Sequence, residues 1–372
     1  MTNKILVGIF LLYVMGYAAH ALVLHKTVYG DGIFYYSWLR SAVIDHDVSF
    51  KSDYAYFHTS QPATPLHIQG NKYTVGPALL WAPWFLLTNE IVRGTGYEFP
   101  YQFIVGLSSV FYAFIGLLLL YRLLGNYFGK TATMATLIGI ALATNLFFYG
   151  SLDAVNSHAV SFFAASFFIT LVLASRKNWF FIGCALGLIA LIRTQDIILG
   201  LLALPYIKPK NILYFLSGAF VLFLPQLVGW QLVNGNFWHS PYLSSFEGFD
   251  FIHPNIIGVL FSLQNGLLLW TPIIILGFIG LLKKKTELPL KLMAAIILVQ
   301  LYLVASWSTW WQGASYSGRM FVSILPLIAF GLANFFSFFE SPRFRYTTVM
   351  YAITLPLSII NFLLMFYFLL IH

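Results

Sequence analysis

The residues able to do chemistry are few and far apart in this chain. Tyr29-Gly30-Asp31-Gly32-Ile33-Phe34-Tyr35-Tyr36 sets one aspartate between two glycines, just past a long apolar run. The glycines permit a tight turn and close approach of a bound molecule. Asp31 is then either a general base beside that molecule or ordinary turn chemistry. Arg193-Thr194-Gln195-Asp196 interrupts two short apolar runs. Arg193 suits an anionic group such as a phosphate, which an arginine can grip bidentately. An ion pair with Asp196, three residues on, is the structural alternative. Asp153 and His158 lie in a polar turn, where each is either a cap or part of a site. Arg319 follows Gly318 and a tryptophan-rich stretch, and either holds phosphate or snorkels to an interface. Trp307, Trp310 and Trp311 can stack on a sugar ring or form an interfacial belt. Lys72 and Tyr73 are weaker phosphate candidates. Glu247 and Asp250, with His239 and His253 nearby, either shape an acceptor site or lie solvated in a loop, and their spacing matches no metal signature.

The composition says what must position these groups. Of 372 residues, 59% are hydrophobic, 19% aromatic and only 9% charged, against roughly 25% charged in a soluble globular chain. Thirty-two charges cannot cover a soluble protein of this length. A soluble enzyme, a disordered chain and a disulfide scaffold are therefore excluded, the last also because Cys184 is the single cysteine. The apolar runs are too long for the alternating strands of a barrel. The expectation is an all-α polytopic membrane protein. Its net charge of +8 is a matter of topology rather than nucleic-acid binding.

Eleven membrane segments are expected, at 4–24, 101–122, 131–149, 158–174, 179–192, 197–207, 211–232, 266–282, 289–306, 320–339 and 346–370. The first ends in Ala19-His20-Ala21, which imitates a signal-peptide cleavage site; with ten more spans behind it, it reads as a membrane helix. Segments 179–192 and 197–207 are short. Short helices flanking polar residues at depth point to a site that protein or a cavity covers. With a cytoplasmic N-terminus, the inner side receives 13 of the 20 basic residues and two of the 12 acids, Glu287 and Glu340. All nine histidines fall on the outer side or in the outer part of a helix. This agrees with the positive-inside rule. It makes 75–93, with Pro77, Trp81, Pro83 and Trp84, a re-entrant or interfacial helix rather than a span. It also puts the C-terminus and the chemistry outside.

The chain then reads as one transmembrane domain over 1–372, with large outer segments at 25–100 and 233–265 and no soluble C-terminal domain. Residues 33–45 carry apolar positions at helical spacing and read as a helix lying in the interface. There is no Walker loop, no GxGxxG before a strand and no HExxH. No cofactor is expected, and use of a divalent metal is left open.

Several stretches carry a family resemblance. A first helix, a large outer loop opening on an acidic motif and interfacial helices are similar to the GT-C membrane glycosyltransferases, among them protein O-mannosyltransferases and lipid A aminoarabinose transferases. Lys72-Tyr73-Thr74-Val75-Gly76-Pro77 with Trp81-Ala82-Pro83 resembles the end of their first loop. Arg122 to Lys130, Ala143-Thr144-Asn145 and Tyr149-Gly150 resemble their second and third helices. Gly187 to Thr194 resembles a helix end whose arginine faces the cavity, and Trp310 to Arg319 a late outer loop. The resemblance implies transfer of a sugar from a polyprenyl phosphate to an extracytoplasmic protein, lipid or glycan, with inversion. It implies Asp31 as base with Asp153 as a second acid, and Arg193, Arg319, Lys72 and Tyr73 at the donor phosphate. Tyr35, His158, Trp310, Trp311 and Glu247 become the candidates for sugar or acceptor contact. A glycan ligase or polymerase would share the membrane and the basic inner loops but not the acidic first loop. A transporter or flippase would usually show internal repeats and midplane polar groups spread along several helices; here no repeat is seen and the polar residues crowd onto one side.

Overall fold

A computed structural model describes residues 2–238, 240–241, 247–283, 288–340 and 346–371. His239 and His372, and the charges Lys284, Lys285, Glu287, Arg343 and Arg345 that enter the orientation argument, lie outside the described residues. No strand is found among the described residues, only two isolated bridges.

Helix α1 (Thr2–Leu24) is followed by the short α2 (Gly32–Arg40), α3 (Lys51–Tyr56) and α4 (Gly76–Val92). The bundle continues with α5 (Phe99–Leu124), α6 (Lys130–Leu142), α7 (Ser157–Leu173), α8 (Trp179–Ile192) and α9 (Ile212–Asn234). Two short helices, α10 (Ile256–Phe261) and α11 (Leu267–Trp270), lead into α12 (Ile273–Leu282), α13 (Leu290–Ser306), α14 (Leu325–Ser337) and α15 (Tyr346–Ile371). Tight 3-10 turns at Thr194–Ala203 and Arg319–Ile324 follow α8 and precede α14.

Among the described residues, five helical stretches are long and apolar enough to cross a bilayer, and six shorter apolar ones, from 10 to 17 residues, accompany them. Together they match the eleven expected segments one for one, and α4 is not among them. The chain is an integral membrane protein. Two segments differ in detail from the sequence expectation. The third is helical only to Leu142, because the Thr144 hydroxyl bonds Ile140 O (2.6 Å) and the amide of Leu146 (3.1 Å), after which a π turn runs over Phe148–Leu152. The eighth is broken at Thr271-Pro272, where proline lacks the amide that would continue the helix.

Small residues decide how closely the helices approach. In lipid there is no hydrophobic drive between helices, so close backbone packing carries the association. Gly183 and Gly187 of α8 lie on the backbone of α9, and Gly218 of α9 lies on the Phe180 carbonyl. Gly280 of α12 and Gly331 of α14 meet directly: a Cβ on either would overlap a carbonyl oxygen of the other helix. The first-loop helices form their own cluster, with Trp81 and Phe85 of α4 fully buried against Tyr36, Tyr101 and Val105. Trp81 Nε1 donates to Ser109 Oγ at 2.8 Å, which fixes α4 to α5.

Gly331→Ala should lower stability by about 1–3 kcal/mol, the usual cost of overpacking, read as thermal unfolding in detergent. Gly8→Ala, at a glycine with nothing within 4 Å, should leave the melting temperature unchanged.

Candidate active site

The Asp31 turn is built from backbone outward. Gly30 adopts a left-handed φ of 53°, and Gly32 N donates to Tyr29 O at 3.0 Å. Gly32 lies so close to the Val155 carbonyl that a Cβ would overlap it. This approach sets Asp31, at the start of α2, against the turn between Leu152 and Ser157. As the N-cap residue, Asp31 makes no side-chain cap bond. Its carboxylate turns instead to two distant groups: the Tyr73 hydroxyl donates to Oδ1 at 2.7 Å, and Arg319 Nη1 sits 2.8 Å from Oδ2.

Tyr73 is aimed by an extended clamp. Trp38 Nε1 donates to Tyr73 O (2.9 Å), Asn71 Oδ1 accepts from Tyr73 N (3.0 Å), and the Phe34 and Tyr73 rings stack at 4.8 Å. Thr74 Oγ1 donates to Ile192 O at 2.6 Å, and Val75 N donates to Gln226 Oε1 at 2.9 Å. The end of the first loop is thereby pinned to the end of α8 and to the body of α9. Lys72, beside it, pairs with Glu247 at 2.7 Å.

Arg319 is held by the loop before it. Asn145 Nδ2 donates to Gly318 O (3.0 Å), Tyr149 OH to Tyr316 O (3.0 Å), and Thr271 and Ser317 share a hydroxyl contact of 2.7 Å. Tyr316 OH reaches Asn361 Oδ1 at 2.7 Å, while Asn361 Nδ2 donates to Leu142 O and Thr144 O. The breaks after α6 and before α12 thus supply polar groups that fasten this loop.

Arg193 ends α8 in an extended conformation (φ −149°, ψ 104°). Its Nε lies 3.5 Å from Asp196 Oδ2, and Nη1 donates to Ser157 Oγ at 3.1 Å and faces His158 Nδ1 at 3.3 Å. Nη2 also contacts Met320 Sδ, next to Arg319. The Gln195 carboxamide, with its oxygen turned to the guanidinium, accepts from Nε and Nη2 at 3.2 and 2.5 Å. Tyr35 OH donates to the same Ser157 hydroxyl at 3.1 Å.

These residues surround a cavity of about 340 Å³. Asp31, Tyr35, Lys72, Tyr73, Arg193 and Arg319 line it, and its apolar lining includes Trp230, Trp307, Trp310, Leu303 and Val304. Among the described residues its lining carries three cations and one carboxylate, so the cavity suits an anion. Asp153, His158, Glu247 and Trp311 do not line it. His158 is buried between the Tyr149 ring and Arg193. Glu247 acts on the cavity through Lys72, and Trp311 is exposed with its edge against Trp310. Asp250 and His253 form an exposed pair of their own at 3.2 Å. Among the described residues, no group of three or more His, Cys, Asp or Glu could hold a metal. Sequence reasoning missed Ser157, Gln195, Gln300, Gln312 and Met320. Gln300 Nε2 donates to Met320 O at 3.0 Å, and Gln312 Oε1 accepts from Met320 N at 2.9 Å. A glutamine inside an apolar segment was the available signal for Gln300.

The solved structure of ArnT from Cupriavidus metallidurans in the apo state superposes with a TM-score of 0.56 at 13% identity, over 92% of this chain. The fold is GT-C-like. This chain spans 59% of the length of that ArnT. No protein-family model and no curated protein sequence matches it.

Asp153 lies behind Asp31. Burial pushes its carboxyl up to about 7 from the ordinary 3.8, although Asn156, Arg319 and the Tyr29 hydroxyl favour the charged form. An acid raised in the folded state binds protons that the unfolded chain has released. Its contribution to stability is therefore full below about pH 4 and is lost as pH rises through 7. Asp153→Asn should accordingly lose less melting temperature than wild type between pH 5 and 8, measured in the same detergent. An equal loss in both proteins would reject the assignment.

Proposed function

We propose that the protein is an extracytoplasmic glycosyltransferase that moves a sugar from a polyprenyl phosphate to a hydroxyl acceptor on a protein, lipid or glycan, with inversion. The observation that carries this reading is one carboxylate, Asp31, held at the edge of a cavity whose other charged lining residues are Arg193, Arg319 and Lys72. The GT-C-like fold supports it, ArnT being a lipid A aminoarabinose transferase of the GT-C class. The membrane and the acceptor hydroxyl are the partners. No nucleic acid is involved, and no cofactor is invoked beyond the lipid-linked donor.

The chemistry follows from the groups present. The donor phosphate takes its place among the three cations, where charge-assisted bonds stabilise the negative charge that grows as the glycosidic C–O bond breaks. Asp31 faces the acceptor hydroxyl and accepts its proton as the oxygen attacks the anomeric carbon. One carboxylate base and no covalent intermediate give inversion, by analogy with single-displacement glycosidases. Trp230, Trp307 and Trp310 offer flat apolar faces for the sugar, and Tyr35 a hydroxyl beside it. Asp153 and His158 act from behind this lining, and Glu247 through Lys72.

The cavity lies at the end of the bundle where α7 begins and where α8, α9 and α13 end. The short turns rich in Lys and Arg, such as 174–178 and 208–211, lie at the opposite ends of these helices. Sorted by the positive-inside rule, the site and the C-terminus are extracytoplasmic and the N-terminus is cytoplasmic.

Transfer measured in nanodiscs with a panel of polyprenyl-phosphate sugars should fall about 100-fold or more in Asp31→Asn, the range a general base contributes. Full activity in a well-folded Asp31→Asn protein would remove the base. A fluorescent reporter that matures only in the cytoplasm, fused after the last helix, should stay dark, and a bright fusion would reverse the orientation.

A further inference from the structure

The three cations of the cavity are not equivalent. Lys72 has Glu247, and Arg193 has Asp196 and the Gln195 and Ser157 oxygens; neither Asp196 nor Glu247 lines the cavity. Arg319 is paired with the base itself, Asp31. Both oxygens of that carboxylate are engaged, Oδ1 by Tyr73 and Oδ2 by Arg319. A carboxylate oxygen that accepts from a guanidinium is a weaker base, because the nearby cation stabilises its charged form. Arg319 also has unused capacity, because its buried Nε has no acceptor among the described residues. A guanidinium presents several donors in a fixed fork, and a phosphate offers a bidentate match for them.

We propose that Arg319 gates the base: it caps Asp31 Oδ2 until the phosphate of a lipid-linked donor draws the guanidinium away, while Tyr73 keeps Oδ1 and so aims the freed oxygen at the acceptor. This inference rests on the reading of the cavity as a phosphate-donor site. Its consequence is order. The acceptor hydroxyl meets a competent base only when the donor is in place, so Arg319 couples donor binding to proton removal, and Tyr73 is a positioning residue.

Coupling of this kind is reciprocal. If phosphate must win Arg319 from Asp31, removing the carboxylate charge must tighten phosphate binding, although it slows transfer. The probe is a short-chain polyprenyl phosphate without sugar, titrated calorimetrically into the full-length protein in detergent. Asp31→Asn should bind it at least about 5-fold more tightly than wild type, the lower end of usual site-to-site coupling. In an Arg319→Gln background, Asp31→Asn should change the affinity less than twofold, since nothing is left to share. No tightening in Asp31→Asn overturns the gate. So does equal tightening in the Arg319→Gln background, because that is plain repulsion between two anions. Should Arg319→Gln not fold, Arg319→Lys replaces it in the same cycle. An ammonium lacks the fork, so the coupling should shrink at least twofold, and an unchanged coupling overturns the gate. Failure of wild type to bind the lipid phosphate at all would instead overturn the donor-site reading on which the gate rests, and is distinguishable from the other outcomes.

Discussion

A cation beside apolar helices must find an anion or water, and this constraint organises the site. Two opposite charges about 4 Å apart gain about 4 kcal/mol at the effective dielectric of a protein surface, and more as water is excluded. The price is desolvation, which only good geometry and further hydrogen bonds offset. Arg319 meets Asp31, Lys72 meets Glu247 and Arg193 meets Asp196. The first two pairs join stretches that are far apart in the sequence. Ion pairing therefore ties the first loop to the strip before α10 and to the turn before α14. The cavity is what remains between these ties.

Such ties work only if the backbone behind each charge is fixed. Here the helices give up part of their own regularity. The third segment stops at Leu142 and the eighth breaks at Thr271, which frees polar groups that a continuous helix would not present. Asn145, Tyr149 and Thr271 then hold the segment from Tyr316 to Gly318, and Asn361 of α15 bonds both that segment and the carbonyls left open after α6. A buried carbonyl without a partner costs about 1–3 kcal/mol, so each broken turn needs such a bond. The irregular parts of the bundle and the support of Arg319 are thus one set of hydrogen bonds.

The spans were legible because bilayer crossing demands long apolar runs, and that demand is local in sequence. A short helix within 33–45 was legible from its spacing, although α2 is buried on nearly all its residues rather than on one face, and the Arg193–Asp196 pair was legible from a separation of three residues. What could not be read were the partners supplied by tertiary packing. Nothing near Asp31 in the sequence announces Tyr73 or Arg319 as its ligands, and nothing near Arg193 announces Met320. Charge was the signal used, and it passes over neutral groups such as Ser157, Gln195 and Asn361, although a carboxamide inside an apolar segment is informative for the same reason as a charge. Asp153 shows the converse. Its type and turn fit a site residue, but the close approach of Gly32 to Val155 puts Asp31 forward and leaves Asp153 behind it.

The charge scarcity of the whole chain explains why so few residues decide its chemistry. A transporter path would need polar groups distributed along several helices. Here the lining charges come from helix ends and loops at one end of the bundle, and Leu303, Val304 and tryptophans are also in the lining. A site lined by both cations and apolar side chains suits a molecule with an anionic head and an apolar body. Under the proposed function, the contact that neutralises Arg319 also holds the carboxylate assigned as the base.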